Sequence, residues 1–449
     1  MPSAASLALL LQELDHLDLV TAGPQLQQLS QDQFSFSPLL SARLHDCRAD
    51  VVVRARCRED VVFVAAACHR HGVPLTPRGS GTGNYGQCVP LKGGVVLDTS
   101  AMTAVRHLDP VAGVLTAEPG CRLLELDRQL QPQGWALRLA PSTWRTASLG
   151  GFIAGGSSGV GSLRWGLLRD PGNLLGLEVV TLEAQPQVLQ LGPEACRGLN
   201  HAYGTNGVFT AVTVPLAPWQ NWQELVICCP NQVTALALGE QLSASALEID
   251  GLAYLDAELM GRMPPLPGLE MPSAPCLLLI AAPAALAVIR ELAVASGARC
   301  CFQRDQWPPS GLLMRELCWN HTTLQLRLQD PAFTYQLLLL PDPVGPVLEA
   351  LSARWPGWLH WHLERVRQAG RPRWVGFALF RWAGEQQLLE LMAAARELGC
   401  LVFNAHALTV EDGGLGVVDA DQVAAKRAYD PDGLMNPGKL RGWLEQPQA

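Results

Sequence analysis

The chain has no uncharged apolar run approaching ~18 residues, so nothing in it reads as a membrane-spanning helix. It has no Cys-x-x-Cys, which removes zinc knuckles and thioredoxin-type redox motifs. It has no basic excess: the net charge is -8, which argues against a nucleic-acid binder while leaving room for small anions at local sites. Charged residues are sparse at 16%, yet 48% of residues are apolar, enough to build cores and too many for a disordered chain. The N-terminus lacks the basic start and unbroken apolar run of a signal peptide, because Glu13, Asp15, His16 and Asp18 interrupt Ser6 to Val20. Leu7, Leu10, Leu11, Leu14 and Leu17 fall instead at helical spacing. The 13 cysteines are odd in number and include the adjacent pairs Cys228-Cys229 and Cys300-Cys301, a poor basis for a disulfide framework. Reduced thiols, a reducing compartment and a cytoplasmic location are expected.

What is abundant is glycine, and it is concentrated. At 449 residues the chain is too long for one core, so at least two domains are expected. Between about residues 43 and 218, short β-type runs alternate with glycine-rich turns. One clear helix opens with Glu59-Asp60 at its positive end and stops at Gly72. After Pro218 strand-like runs are followed by helical stretches, as in an α+β domain. The expected segments are 1–42 (helical), 43–218, 219–415 and 416–449.

Two motifs mislead. Gly81-Thr82-Gly83-Asn84-Tyr85-Gly86 fits G-x-G-x-x-G, but Pro90 and Gly93-Gly94 leave no room for the helix a Rossmann unit needs. Gly433 to Lys439 fits G-x-x-x-x-G-K, but Leu440 stands where magnesium needs a hydroxyl, and Pro437 removes an amide from the supposed phosphate cradle.

Two other runs carry the chemistry. Pro77-Arg78-Gly79-Ser80-Gly81-Thr82-Gly83-Asn84 is a strand end leading into small residues. Glycine permits positive φ, so successive N–H groups can face one concavity and a pyrophosphate can approach the backbone. Some ~65 residues on, Pro141-Ser142 and then Thr146-Ala147-Ser148-Leu149-Gly150-Gly151 lead to Ala154-Gly155-Gly156-Ser157. Two such loops in a strand-rich domain suit one extended dinucleotide.

These runs resemble the phosphate loop and second loop of the PCMH-type, or vanillyl-alcohol-oxidase-like, FAD domain. Leu174 to Val180 resembles the strand that follows. Gly204-Thr205-Asn206-Gly207-Val208-Phe209-Thr210 resembles the turn near the flavin, and Tyr429 to Lys439, with Asn436, the C-terminal signature that returns to the FAD domain. The pattern is similar to that of the FAD subunits of glycolate oxidase and D-lactate dehydrogenase. The resemblance implies an α+β fold: a two-lobed FAD domain, then an α+β cap with an antiparallel sheet. Some members attach the flavin through a His in the first loop. Here Thr82 takes that position, so non-covalent FAD is expected.

A flavin dehydrogenase or oxidase of a small 2-hydroxy acid needs a base near neutral pKa and a site for the carboxylate. Histidine is the natural base. The run from Arg315 to Thr323 packs Asn320 and His321 among other donors, and His321 is the preferred base. His406 is the reserve, with Glu411 near where the relatives carry an acidic Glu-His-Gly motif. Arg315, Arg327 and Arg381 are the cap arginines considered for a carboxylate. The relatives' His-x-Gly-Asp-Gly-Asn metal motif is absent, and no metal is expected; His360-Trp361-His362 is the one pair with ligand-like spacing. The altered substrate signature keeps two alternatives open: a flavin-binding subunit working with a partner or electron-acceptor protein, and an oxidoreductase of a sugar-type alcohol.

Overall fold

A computed structural model describes residues 2–156 and 158–445; Ser157, expected at the cofactor, lies outside the described residues. Strands β1 (Asp18–Val20), β2 (Val51–Arg54), β3 (Leu75–Arg78) and β4 (Val95–Asp98) form a first sheet in the order β1-β2-β4-β3. The inner pairs are parallel. Val51 to Val53 and Val95 to Leu97 are continuous apolar runs buried on both faces, as parallel strands require. The crossover between β2 and β3 is the helix Arg58–His71, with Glu59 and Asp60 in its first turn and Gly72 closing it at φ 62°. Strand β3 delivers the first glycine loop at its carboxyl end.

The second sheet is antiparallel. It comprises β5 (Val105–Asp109), β6 (Val114–Ala117), β7 (Trp135–Leu137), β8 (Gly176–Val180), β9 (Val188–Leu191) and β10 (Val208–Pro218), in the order β5-β6-β10-β8-β9 with β7 on β10. Its core includes Leu149, Phe152 and Ile153 of the short helix Leu149–Gly155, which begins inside the second glycine run.

The third sheet has eight strands: β11 (Gln223–Cys228), β12 (Ile249–Leu255), β13 (Cys276–Ala281), β14 (Arg299–Asp305), β15 (Phe333–Leu339), β16 (His360–Gln368), β17 (Arg371–Arg381) and β18 (Leu401–Phe403). The order is β14-β11-β13-β12-β16-β17-β15-β18, antiparallel throughout. Alternation gives the strands two different faces. Leu338, Trp361, Ala378 and Phe380 pack against Leu236, Ile289, Leu348 and Leu391 of four helices. Tyr335, Leu337, Leu339 and Phe377 point the other way, into a cavity facing the first two sheets.

The N-terminal segment differs from the expected helix. The helix Ala4–Glu13 buries Leu10 and, just past its end, Leu14; the chain then straightens, and Asp18–Val20 adds an edge strand to β2. All 13 cysteines are unpaired. Among the described residues no helix is long and apolar enough to cross a membrane.

The C-terminal segment comes back to the first lobe. Met435 sits in its core and bridges Leu75. Buried Lys439 donates to the carbonyls of Gly86, Gln87 and Val89, and burial pulls its pKa down to about 8. Lys426 pairs with Asp430 and donates to the carbonyls of Thr205 and Met435.

Candidate functional site

The two glycine runs meet. The Ser80 N–H donates to Ser148 Oγ at 3.2 Å. A β-carbon on Gly79 would lie 3.5 Å from the Gly151 backbone, and one on Gly151 would lie 4.0 Å from Gly79 Cα. Gly81 turns the chain at φ 67°, and a β-carbon there would overlap the Arg78 guanidinium. Gly150 rests on Pro119, whose Cα a β-carbon would approach to 3.0 Å. Gly204, Gly207 and Val208 close the same hollow, together with Pro77, Thr82, Gly83 and Ala154. Its free volume is about 100 Å³, and eight of its lining residues are glycine. Thr82, Gly83, Gln87, Gly151 and Gly155 also line a second space of about 890 Å³, so the two adjoin. Asn84, Pro141, Ser142, Thr146, Ala147 and Gly156 line that larger space.

The hollow fits a dinucleotide. Its glycines let the loops pack backbone to backbone around it, and two of its lining residues keep a buried oxygen without a partner: Asp32 Oδ2 and the Tyr203 hydroxyl. Burial raises the Asp32 pKa to about 6, against the pull of Lys439 and Arg78. Arg78 itself is committed to the fold, donating to the carbonyls of Leu29 and Gly79 at 2.9 and 3.0 Å.

On the cap side the turn Trp319-Asn320-His321 enters the larger cavity. Trp319 is at φ 52°, a conformation rarely adopted outside glycine. A buried chain of bonds holds it there: the Trp319 N–H donates to Glu364 at 2.6 Å, Glu364 meets His362 Nε2 at 2.8 Å, and His362 Nδ1 meets Thr322 Oγ1 at 2.6 Å. In front of the turn, Asn84 and Asn320 donate to the Tyr335 hydroxyl at 2.9 and 3.3 Å, and Tyr335 donates to Tyr85 at 3.2 Å. Asn320 Oδ1 is buried without a partner. Burial holds the His321 pKa below its ordinary value, with Glu316 opposing, so the imidazole is neutral at pH 7.

Asn84 of the first glycine run, Asn320 and His321 therefore line one cavity, while three other expected residues lie outside its lining. His406 Nδ1 meets Ser37 Oγ at 2.8 Å and its Nε2 meets the Tyr335 carbonyl at 3.0 Å, so the ring ties the N-terminal segment to the cap and does not line the cavity. Burial drives its pKa to about 4. The Glu411 carboxylate accepts the N–H groups of Arg441 and Gly442 at 2.9 and 2.7 Å and is fully buried there. Asn436 donates to the carbonyls of Gln87 and Tyr203, and its Oδ1 is buried without a partner. The cap arginines also face away. Arg315 stacks on Trp144 and bonds Gln306, Arg327 holds the carbonyls of Pro331 and Phe333, and Arg381 pairs with Asp330.

Sequence reasoning missed His201, Tyr335, Tyr85 and Asp32. His201 lines the cavity at φ 61°, wedged where a β-carbon on Gly156 or Gly414 would overlap its ring. Burial, then the nearby Arg169, lowers its pKa to about 3. The signal for Tyr85 was its place inside the first loop; Tyr335 and His201 carried none. His360 and His362 lie on β16, and among the described residues no group of three His, Cys, Asp or Glu is disposed to hold a metal.

A family profile described as an FAD binding domain matches residues 49–190. The chain is similar to the glycolate oxidase subunit GlcD of Escherichia coli K12, 31% identical over 216 residues, which is 46% of this chain and 42% of that protein. It is similar to the mitochondrial D-2-hydroxyglutarate dehydrogenase of Bos taurus, 30% identical over 47% of this chain and 40% of that one. The mitochondrial cytochrome-type D-lactate dehydrogenase of Arabidopsis thaliana is 29% identical over 46% of this chain and 37% of its own. The alignments thus span about two-fifths of these relatives. A solved structure of alkyldihydroxyacetonephosphate synthase shares the fold over 97% of this chain and 86% of its own, with a TM-score of 0.76 at 16% identity.

Proposed function

We propose, from the match of residues 49–190 to an FAD binding domain, that the chain is an FAD-dependent oxidoreductase acting on the CH–OH group of a 2-hydroxy acid, in the simplest case glycolate or D-lactate. The observation that carries this reading is a neutral, half-buried His321 beside Asn320, lining one cavity with residues of the first two glycine loops. Bound FAD supplies the hydride acceptor. Ser80, Gly81, Gly150, Gly151, Gly204 and Gly207 would hold its diphosphate and ribityl portions. His321 accepts the substrate hydroxyl proton at a ring nitrogen, and the amide and phenol donors of Asn320, Asn84 and Tyr335 orient the hydroxyl and carboxylate. FAD is held without a covalent bond, since Thr82 cannot form one; acid precipitation should release all the flavin into the supernatant. In this reading residues 43–218 are the cofactor unit, 219–415 the cap and 416–449 the returning segment, in a cytoplasmic protein.

The test is anaerobic mixing of the FAD-loaded protein with a panel of 2-hydroxy acids and sugars. Bleaching of the flavin band by a hydroxy acid supports the reading; bleaching by sugars alone replaces the substrate class. A second reading, a flavin subunit that works only with a partner, is favoured by the subunit status in the name of the GlcD relative. Flavin bound tightly but reduced by nothing in the panel would select it.

A further inference from the structure

The cap wall of the cavity is apolar in an ordered way. On β15, Leu337 lies opposite Phe377 of β17 and Phe403 of β18, and Leu339 lies opposite Val375 and Leu401. All six line the cavity. Among the described lining residues of this sheet, only Tyr335 and Gln368 are polar, and none is charged. The arginines that line the cavity, Arg169 and Arg197, belong to the cofactor lobes. Arg169 is 2.5 Å from Asp419, and Arg197 lies 3.8 Å from both Glu194 and Asp421.

Polarity therefore changes along a single strand. At Tyr335 the wall offers the hydroxyl cluster with Asn84, Asn320 and Tyr85. From Leu337 onward it offers hydrocarbon, ending at Leu401, which is 47% exposed. The distance from Tyr335 to Leu339 is about 13 Å at ~3.3 Å per residue, room for a tail of roughly ten carbons. An apolar concave wall beside a few convergent polar groups is the form of a binding site for an amphipathic molecule.

We propose that the substrate carries an apolar tail: its hydroxyl-bearing head lies at His321, Asn320 and Tyr335, and its alkyl chain lies along the Leu337–Leu339 face toward Leu401. This rests on the oxidoreductase reading for the head group and goes beyond it for the tail.

The test is stopped-flow anaerobic reduction of the FAD-loaded enzyme by D-2-hydroxy acids from glycolate to about sixteen carbons. Second-order rate constants should rise by about fourfold per methylene, from ~0.8 kcal/mol per buried CH₂, and level off near a tail of about ten carbons. A flat or falling series with glycolate best overturns the tail while leaving the oxidoreductase reading intact. Leu401→Glu, at an exposed position, should cut the ratio of 2-hydroxydecanoate to glycolate reduction by about tenfold; an unchanged ratio counts against the proposal. If no hydroxy acid bleaches the flavin, binding decides separately. Displacement of a fluorescent apolar probe by 2-hydroxydecanoate but not by glycolate keeps the tail site and discards the redox reading. Equal displacement by both, or by neither, overturns the tail site.

Discussion

On the cofactor side the nucleotide hollow is lined by glycine loops, whereas the cap side is walled by side chains. The first wall depends on what is missing: without β-carbons, Gly79, Gly81, Gly150 and Gly151 pack closely against Ser148, Arg78 and Pro119, which brings the loop backbones together at the hollow. The second depends on what is present: a row of leucine, valine and phenylalanine on β15, β17 and β18, and the propped turn Trp319-Asn320-His321. A backbone wall tolerates almost no substitution, whereas a side-chain wall can be retuned residue by residue. This contrast would let one cofactor cradle serve different substrates.

The largest expected effect lies on the backbone wall. Gly81→Val puts a branched side chain at φ 67° against Arg78, so purified protein should lose nearly all flavin absorbance while remaining folded by circular dichroism. Retained flavin would mean the cradle is less backbone-defined than described. Next is the propped turn: His321→Ala should slow flavin reduction by about 10²-fold or more. In the native protein the acidic limb of the rate profile should have its midpoint below ~6.5, the ordinary imidazole value, because burial lowers the His321 pKa and only the neutral ring accepts a proton. The variant should lack that limb.

Behind the cap, His406 sets a smaller, thermodynamic effect. Its folded pKa of about 4 lies below the unfolded value, so the unfolded chain takes up the proton first. The stability it contributes is complete above pH ~6.5 and is lost as the pH falls toward 4, on the order of 3 kcal/mol. Thermal melts should drop across that window, and His406→Gln should flatten the dependence. The smallest effect is expected at Arg381, two-thirds exposed and paired with Asp330 outside the cavity. Arg381→Ala should change stability by less than ~1 kcal/mol and leave flavin reduction as it was. A large loss of activity would return a cap arginine to the substrate site.

The same contrast governs what could be read in advance. The backbone wall was legible because its requirement is local: Arg78-Gly79-Ser80-Gly81 and Ser148-Leu149-Gly150-Gly151 signal a close approach wherever they occur. Strands β2, β4, β6, β10 and β13 were legible from their apolar runs. Strand β16 was not, because His362, Glu364 and Arg365 look like a surface segment until pairing partners from other strands and helices bury them. His321 was found by its company of donors and an acid. His406 and Glu411 bond backbone groups outside the cavity lining, and in sequence such a histidine or carboxylate looks like one held for chemistry. His201 and Tyr335 reach the cavity only through tertiary packing.

The clamp formed by Lys426, Asn436 and Lys439 sets an order of events. Apart from the Met435 carbonyl, the carbonyls these side chains satisfy belong to residues 86, 87, 89, 203 and 205, all translated more than two hundred residues earlier. A nascent chain leaving the ribosome therefore exposes its nucleotide loops long before their brace exists. Flavin capture belongs to the finished polypeptide, and a stalled or clipped product should accumulate colourless.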